Sequence, residues 1–396
     1  MLRWIKTTLF RWLAGSSSLC GKMPDFRVIA VVSFLFLLCT WHQFIVDKQC
    51  TVTTSNQLKQ NSMDHFEELP SDEVNENLSI NKQELVHLNN YRTKYIIYYC
   101  VGEKTCGGWG DRQLGIVSVY LMALAMGRRF GIMISKPCEI SAFLRPNKVN
   151  WEVDANELHS LESRYLYLIG NKEYIPLLQW ADLETLYPED VVYVTTNYDY
   201  SNALKVNVRY KEQLLWALQM SSESVFAKVM NLLFRFNNVL QIHLQNFFTV
   251  NIPRPYIQLV CAQIRIGRNP SMPGDEPRNT MSDLQSVWNF LSRYNNTSKY
   301  KIFVTTDSEE VRAIASEKFA SQFVYNSGEI IHVDKPYYGK KNVCDNVMKV
   351  IMDQYILTKC DTLLVSRSYF GENAAIMRKN KKNTFIFKTG EIFAWH

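Results

Sequence analysis

The sequence has no dense stripe of lysine and arginine, which argues against a nucleic-acid-binding protein. Its 44 basic and 38 acidic residues leave a net charge of only +6, and the longest basic run, at 378–382, is typical of a solvated loop. The mildly basic pI near 8.7 suits an anionic substrate such as a nucleotide. No internal repeat is present, and a hydrophobic content of 47% excludes global disorder. A chain of 396 residues with this composition predicts about two globular domains.

The cysteines do not have the spacing of a zinc site. Cys100 and Cys106 have five residues between them, and no histidine pair accompanies them. An oxidising compartment would allow disulfides, and an odd number of cysteines would leave one thiol free or intermolecular. Seven of the nine cysteines follow the apolar segment described next: Cys50, Cys100, Cys106, Cys138, Cys261, Cys344 and Cys360. The sequence leaves their pairing open.

One long apolar run lies near the N-terminus, at 28–46. It contains no charge and, at about 1.5 Å per residue, is just long enough to cross a bilayer. Basic residues dominate the segment before it, so the positive-inside rule predicts a cytosolic tail at 1–27 and a luminal remainder. A cleaved signal peptide is the alternative, which the bulky residues Trp41 and His42 after the apolar centre disfavour. The expected arrangement is a single-pass type II membrane protein.

A polar segment at 47–92, rich in Asn, Gln, Glu and Ser, predicts a flexible luminal stem. Glycosylation sequons begin at Asn77, and overlapping ones at Asn295 and Asn296, as a luminal protein would allow. Beyond the stem, an apolar run at 95–101, a glycine-rich turn, a helical pattern at 112–128 and an apolar run at 130–134 predict a βαβ unit. A further strand is expected at 191–195, and helices at 211–220 and 222–246.

Two prolines, Pro253 and Pro255, interrupt the pattern and predict a boundary between domains at 93–250 and 251–396. The second half again alternates strands and helices. The predicted fold is α/β, with two Rossmann-like domains facing a cleft and ligands at the carboxyl ends of the strands. The predicted strands are 256–266, 300–305, 329–333, 362–365 and 384–387, and the predicted helices 281–294, 309–319 and 342–359.

Two segments at strand ends are candidate binding sites. Gly107 and Gly108 permit close backbone approach, and the helix after them offers N–H groups to a phosphate or sugar. A structural glycine turn with Asp111 as the helix N-cap is the alternative. Arg265 lies in an apolar strand, where a guanidinium is costly unless paired. It suits a diphosphate, and a buried arginine–carboxylate pair is the alternative.

Two further segments place polar residues between a strand and a helix. Asp307 follows the predicted strand at 300–305, and both ligand binding and helix N-capping are open for it. The other segment offers hydroxyl and aromatic groups for phosphate or base contacts, with N-capping by Ser368 as the alternative. Its candidate ligand-binding residues are Ser366, Ser368, Tyr369 and Phe370.

Four segments, GGWGDRQLG, QIRIG, VTTDSEEV and SRSYFG, occur in the same order and spacing class as in GT-B fucosyltransferases. The sequence from 95 to 387 thus resembles the superfamily of α1,2-, α1,6- and protein O-fucosyltransferases. The resemblance implies a GT-B fold, GDP-fucose as donor, inversion at the anomeric carbon and no obligatory metal. Together with the expected signal anchor, it predicts a Golgi membrane enzyme that acts on a glycan or glycoprotein. Arg265 matches the strand-end arginine that contacts the β-phosphate, and Asp111 takes the place of the loop Asn or Asp. Asp307 and the segment Ser366 to Phe370 match donor-binding loops of the family.

The second motif departs from its fuller family form, His-x-Arg-Arg-Gly-Asp. Gln263 stands for the histidine, Ile266 for the second arginine and Arg268 for the aspartate. Donor binding through Arg265 is still expected, whereas the catalytic base is not identified. Three acidic residues are candidates for it: Asp111, Asp275 and Glu276.

Alternatives from other classes differ in what they require. No Asp-x-Asp occurs, which argues against GT-A transferases, where this motif holds a metal–diphosphate. A Golgi sulfotransferase should carry a lysine in a phosphate loop after its first strand, and none follows Gly107 and Gly108. A non-catalytic, membrane-anchored carbohydrate-binding relative is favoured by the altered arginine motif. The sequence therefore predicts a fucosyltransferase, with a Golgi sulfotransferase and a non-catalytic carbohydrate-binding relative as the alternatives.

Overall fold

A computed structural model describes residues 93–253, 256–335 and 341–395, which lie in one compact unit. The expected tail, apolar segment and stem, with Cys50 and Asn77, lie outside the described residues. Within the described ranges, no helix is both long and apolar enough to cross a membrane.

The first half contains a four-stranded parallel sheet, here called sheet 1, in the order β2-β1-β5-β4. β1 is central and almost wholly buried, which explains its continuous apolar run. The predicted βαβ unit and the strand at 191–195 are confirmed. The elements are β1 Tyr95–Cys100, α1 Trp109–Ala125, β2 Arg129–Ile134, β3 Leu144–Pro146, α2 Ala155–Leu158, β4 Ser163–Tyr167, α3 Tyr174–Trp180, α4 Leu183–Leu186, β5 Val191–Thr195, α5 Ser201–Val206, α6 Leu215–Leu218, α7 Ser222–Leu233, β6 Phe234–Phe236 and α8 Asn238–Asn251.

The second half contains a six-stranded sheet, here called sheet 2, in the order β9-β8-β7-β10-β11-β12. All pairs are parallel except β11 with β12. Counted from β7, the strand order is that of a Rossmann sheet. The order of the strands along the chain reverses between β7 and β10, and such sheets bind ligands at this point. The elements are β7 Gln258–Ile264, α9 Leu284–Leu291, β8 Tyr300–Thr306, α10 Glu309–Lys318, β9 Phe323–Val324, α11 Val343–Thr358, β10 Thr362–Ser366, α12 Tyr369–Met377, β11 Thr384–Lys388 and β12 Glu391–Ala394.

Three predicted elements were wrong in whole or part. The helix expected at 222–246 is broken by β6, which pairs antiparallel with β3. The Asn237 side chain then accepts the Leu240 N–H and starts α8. The helix at 211–220 shortens to α6, and the strand expected at 329–333 is an irregular loop. Ile330 and Val333 of this loop are buried, so its apolar residues pack without strand pairing.

Three disulfides pair six of the seven cysteines that follow the apolar segment. Cys100–Cys106 closes the loop after β1. Cys138–Cys344 joins the segment after β2 to the first turn of α11. Cys261–Cys360 joins β7 to the residue range between α11 and β10. The last two disulfides therefore tie the first half of the chain and sheet 2 to the two ends of α11.

Candidate functional site

The loops at the carboxyl ends of β1, β7, β8 and β10 line one cleft of about 720 Å³. In sheet 2, these loops lie on both sides of the point where the strand order reverses, as expected for a ligand site. The loop at 329–335 and one side of α11 complete the wall. The predicted site residues that line the cleft are Gly107, Gly108, Asp111, Arg265, Asp275, Asp307, Ser368, Tyr369 and Phe370.

The N-termini of α1 and α12 meet at the cleft. A Cβ added to Gly110 would lie 2.5 Å from the Phe370 nitrogen, so only glycine permits this approach. Ser368 is the N-cap of α12 but makes no side-chain capping hydrogen bond. Two helix N-termini thus direct N–H groups and the positive ends of their dipoles towards one place, which suits an anion.

A buried amide network holds these two helix starts together. Gln354 of α11 accepts hydrogen bonds from Trp109 Nε1 and Gln113 Nε2, both at 2.8 Å. The Nε2 of Gln354 donates to the Phe370 carbonyl at 3.0 Å, and Asn373 donates to the Gly110 carbonyl at 2.9 Å. Each of these donors has an acceptor. The network therefore fixes the two helix starts without the free-energy penalty of unpaired buried polar groups.

Asp111 has a different structural role from the one expected. Gly108 is the N-cap of α1, and Asp111 lies in the first turn, where its carboxylate accepts the Gly108 N–H at 3.0 Å. The alternative that Asp111 is the N-cap was therefore wrong. Burial raises the pKa of Asp111, and the Gly108 N–H opposes this effect. The carboxyl group is thus partly buried at the cleft wall and favours proton uptake more than an exposed aspartate.

Arg265 lies at the end of β7 between two carboxylates. Its Nη1 is 3.2 Å from Asp307 Oδ2, and its Nη2 makes a short hydrogen bond with Asp275. The alternative of an arginine–carboxylate pair is therefore present at the cleft itself. Two described cations that line the cleft, Arg278 and Lys335, make no ion pair with another described residue. They leave positive charge for an anionic ligand.

Asp307 does not cap α10 as the N-capping alternative suggested, because Ser308 does so by accepting the Val311 N–H. The Asp307 carboxylate instead accepts the N–H groups of Ile266 and Gly267, both at 2.8 Å. Burial raises the pKa of Asp307, while the Arg265 guanidinium and these N–H groups oppose the rise. Asp307 therefore fixes the strand end and the guanidinium together.

Ser366 and Glu276 do not line the cleft. Ser366 is fully buried behind it, where its Oγ accepts the Arg265 main-chain N–H at 3.0 Å. The Glu276 side chain is 77% exposed and 4.0 Å from Arg268. Two buried atoms at the cleft wall have no hydrogen-bond partner, Ser368 Oγ and Gln263 Oε1. Since buried polar atoms are seldom unpaired, both are available to a ligand.

Sequence reasoning missed His332 and Asp334, because their loop was predicted as a strand. The Asp334 carboxylate accepts the Cys106 N–H at 2.9 Å and pairs with buried Arg112 at 3.3 Å. His332 Nδ1 accepts the Asp334 N–H at 3.2 Å, so the neutral ring carries its proton on Nε2. Burial and the Arg265 guanidinium lower the pKa of His332 to about 4. At neutral pH the ring is therefore neutral, and its Nε2–H can serve as a hydrogen-bond donor.

His332 Nε2 and Asp111 Oδ2 both lie beside Gly108, and all three residues line the cleft. The two atoms lie 3.3 Å and 3.1 Å from the position that a Cβ on Gly108 would occupy. Among the described residues, no three His, Cys, Asp or Glu side chains cluster as metal ligands.

No protein-family model matches the chain, and no curated protein sequence matches it. Among solved structures, a mutant of Arabidopsis thaliana FUT1 in complex with GDP has a TM-score of 0.52 at 15% identity, over 78% of this chain and 74% of that one. NodZ α-1,6-fucosyltransferase of Bradyrhizobium, soaked with GDP-fucose, has a TM-score of 0.48 at 12% identity, over 76% of this chain and 98% of that one. POFUT1 in complex with GDP has a TM-score of 0.40 at 12% identity, over 74% of this chain and 99% of that one. The TM-score of 0.52 to the plant structure shows that the chain has a GT-B fucosyltransferase-like fold, as its four motifs predicted.

Proposed function

We propose that this protein is a glycosyltransferase that transfers fucose from GDP-fucose to a glycan or glycoprotein acceptor with inversion. The observation that carries the proposal is the position of Arg265 beside two helix N-termini, at the switch point of sheet 2. The fold shared with a plant fucosyltransferase in complex with GDP supports the same donor.

The donor diphosphate would lie between Arg265 and the starts of α1 and α12. As the bond from the anomeric carbon to phosphate breaks, negative charge develops on the leaving GDP. A guanidinium and helix N–H groups fixed before the reaction stabilise this charge without reorganisation. Asp275 and Asp307 act as positioning residues, because each holds one side of the Arg265 guanidinium. Ser368 Oγ and Gln263 Oε1 remain for hydrogen bonds to the donor.

Asp111 is the best placed of the three acidic candidates to act as the base. It lines the cleft and has a raised pKa, whereas Asp275 is paired with Arg265 and Glu276 lies outside the lining. In the proposed step, the acceptor oxygen forms a bond to the anomeric carbon, the bond to phosphate breaks, and the hydroxyl proton passes to the Asp111 carboxylate. His332 also lines the cleft, and its Nε2–H would donate to a ligand hydroxyl there.

The compartment is part of the proposal. The uncharged segment at 28–46, with basic residues before it, supports a type II signal anchor. Three disulfides support an oxidising lumen, since cytosolic proteins rarely keep them. Together they favour a Golgi membrane protein whose catalytic region is luminal.

A second candidate is a non-catalytic carbohydrate-binding relative. The pairing of Arg265 with two carboxylates favours it, because both must share the guanidinium with any diphosphate. The two candidates differ in turnover. The purified full chain is incubated with GDP-fucose and, separately, with GDP-mannose, UDP-galactose and UDP-N-acetylglucosamine, and nucleotide release is measured. Release selective for GDP-fucose supports the transferase, and no release from any donor, together with no GDP binding by calorimetry, supports the non-catalytic relative.

A further inference from the structure

Tyrosines are concentrated on one face of sheet 1. The parallel register places Tyr165 of β4 beside Tyr193 of β5, and Tyr193 beside Ile97 of β1. One step along the strands, Tyr167 lies beside Thr195. Because side chains two residues apart share a face, Tyr165, Tyr167 and Tyr193 point to the same side of the sheet. We call this surface the tyrosine face.

The tyrosine face is only partly covered by described residues. The opposite face of sheet 1 packs into the main core through Ile96, Tyr98 and Val194. On the tyrosine face, a small cluster around Leu158 covers the end of the sheet where the strands begin. Towards the carboxyl ends, Tyr165 is 59% exposed and Tyr167 is 44% exposed.

Two neighbouring tyrosines hold the ring of Tyr165 in place, and the ring is largely exposed. It stacks on Tyr193 with centroids 4.5 Å apart and planes 15° from parallel. Tyr99 contacts both rings edge-on, at 5.5 Å and 5.1 Å. Since β4 is the edge strand of the sheet, no described strand lies beyond Tyr165 on the side turned away from Tyr193. A ring fixed in this way loses little conformational entropy when a ligand stacks on it.

The tyrosine face continues to the rim of the cleft. The Tyr167 hydroxyl donates to the Thr105 carbonyl at 3.2 Å, and Thr105 lines the cleft. The ammonium group of Lys104 lies 5.4 Å from the centre of the Tyr167 ring. An extended ligand on the tyrosine face can therefore reach the cleft past Thr105.

We propose that the tyrosine face binds neutral oligosaccharides. A pyranose ring has a flat side of C–H groups and a rim of hydroxyls, which match an open aromatic ring bordered by phenol and amine groups. A membrane or an apolar protein segment would need a broader aliphatic patch, whereas the exposed side chains are tyrosines on alternate positions of one strand. The further role of the tyrosine face, to direct an acceptor glycan into the cleft, rests on the proposed function.

The test uses the labelled full chain on an array of immobilised neutral N-linked, O-linked and glycolipid glycans. Wild type should bind a subset of the glycans. The double variant with Tyr165→Ala and Tyr167→Ala should bind that subset at least about tenfold more weakly, for loss of two stacking rings. Tyr165→Trp should retain binding, because it keeps an aromatic face. Trp180→Ala is the matched control, since Trp180 is 67% exposed on α3 and should not change binding.

No glycan binding by wild type, or equal binding by wild type and the double variant, overturns the proposal. Circular dichroism and thermal melts check that the variants are folded. Array binding needs no nucleotide sugar, so it fails or succeeds independently of GDP release. If wild type binds glycans but does not turn over GDP-fucose, the proposed transferase activity is overturned and the proposed glycan site on the tyrosine face is retained.

Discussion

Oδ2 of Asp307 lies 3.2 Å from Nη1 of Arg265, and the same carboxylate accepts the two N–H groups that follow Arg265 along the chain. The two residues follow β7 and β8, which are neighbours in sheet 2. One buried carboxylate thus fixes both the backbone after β7 and the guanidinium at the cleft. The position of Arg265 depends on this contact as well as on its own strand.

Asp307→Ala is expected to destabilise the protein strongly. The change leaves two buried N–H groups without an acceptor and removes one partner of Arg265. Since Asp275 keeps the other side of the guanidinium, we expect a loss of about 3 kcal/mol, the low end for a broken buried pair. Urea unfolding measures it. Glu276→Ala, at an exposed pair, should cost less than about 0.5 kcal/mol. Similar costs for the two variants would contradict the role of Asp307.

Gly110→Ala should separate the starts of α1 and α12. The new methyl group would meet backbone atoms of Tyr369 and Phe370 at 2.5 Å, and backbone cannot move aside as a side chain can. We expect a loss of stability of about 1–3 kcal/mol and weaker binding of GDP, measured by urea unfolding and calorimetry. Gly274→Ala is the control, because a Cβ there meets nothing within 4 Å. Unchanged GDP affinity in Gly110→Ala would exclude the paired helix starts as the anion site.

His332 is expected to make the protein less stable in mild acid. Its folded-state pKa is about 4, against an ordinary value of 6.5. As the pH falls through this window, the unfolded chain takes up the proton first, so the stability present above pH 6.5 is progressively lost. Between pH 7 and 5, wild type should lose about 2 kcal/mol more than His332→Gln. Urea unfolding at both pH values tests this, and equal losses would show that His332 is not the titrating group.

Much of the fold was predictable because local patterns and tertiary packing agree. The strand at 95–101 and the helix that follows it have the periodicities of a buried strand and a packed helix, and both are confirmed. The helix at 222–246 was predicted too long because Phe234–Phe236 fits a helical pattern as well as a strand. Only its pairing with β3, distant in sequence, decides between the two. Asn237 was a local sign of a new helix that the prediction overlooked.

The site was predicted as segments rather than as contacts. The motifs located Arg265, Asp111 and Asp307, and all three line the cleft. Sequence could not show that Asp307 bonds the backbone after β7, since capping residues and ligands are the same residue types. The residue His332 was missed because the alternation of its apolar neighbours favours a strand. Its chemistry arises from Asp334, Arg265 and burial, which only the folded chain brings together.

The most direct test of the central claim is nucleotide release from GDP-fucose by wild type, Arg265→Lys and Arg268→Ala. Arg268 is the matched control, because it is also on the loop after β7 but its side chain is 59% exposed and lies outside the cleft lining. If Arg265 stabilises the leaving diphosphate through two directed donors, lysine cannot replace it. The expected result is release by wild type and Arg268→Ala and a loss of at least about a hundredfold in Arg265→Lys. Near-normal release by Arg265→Lys, or none by wild type, would contradict the account.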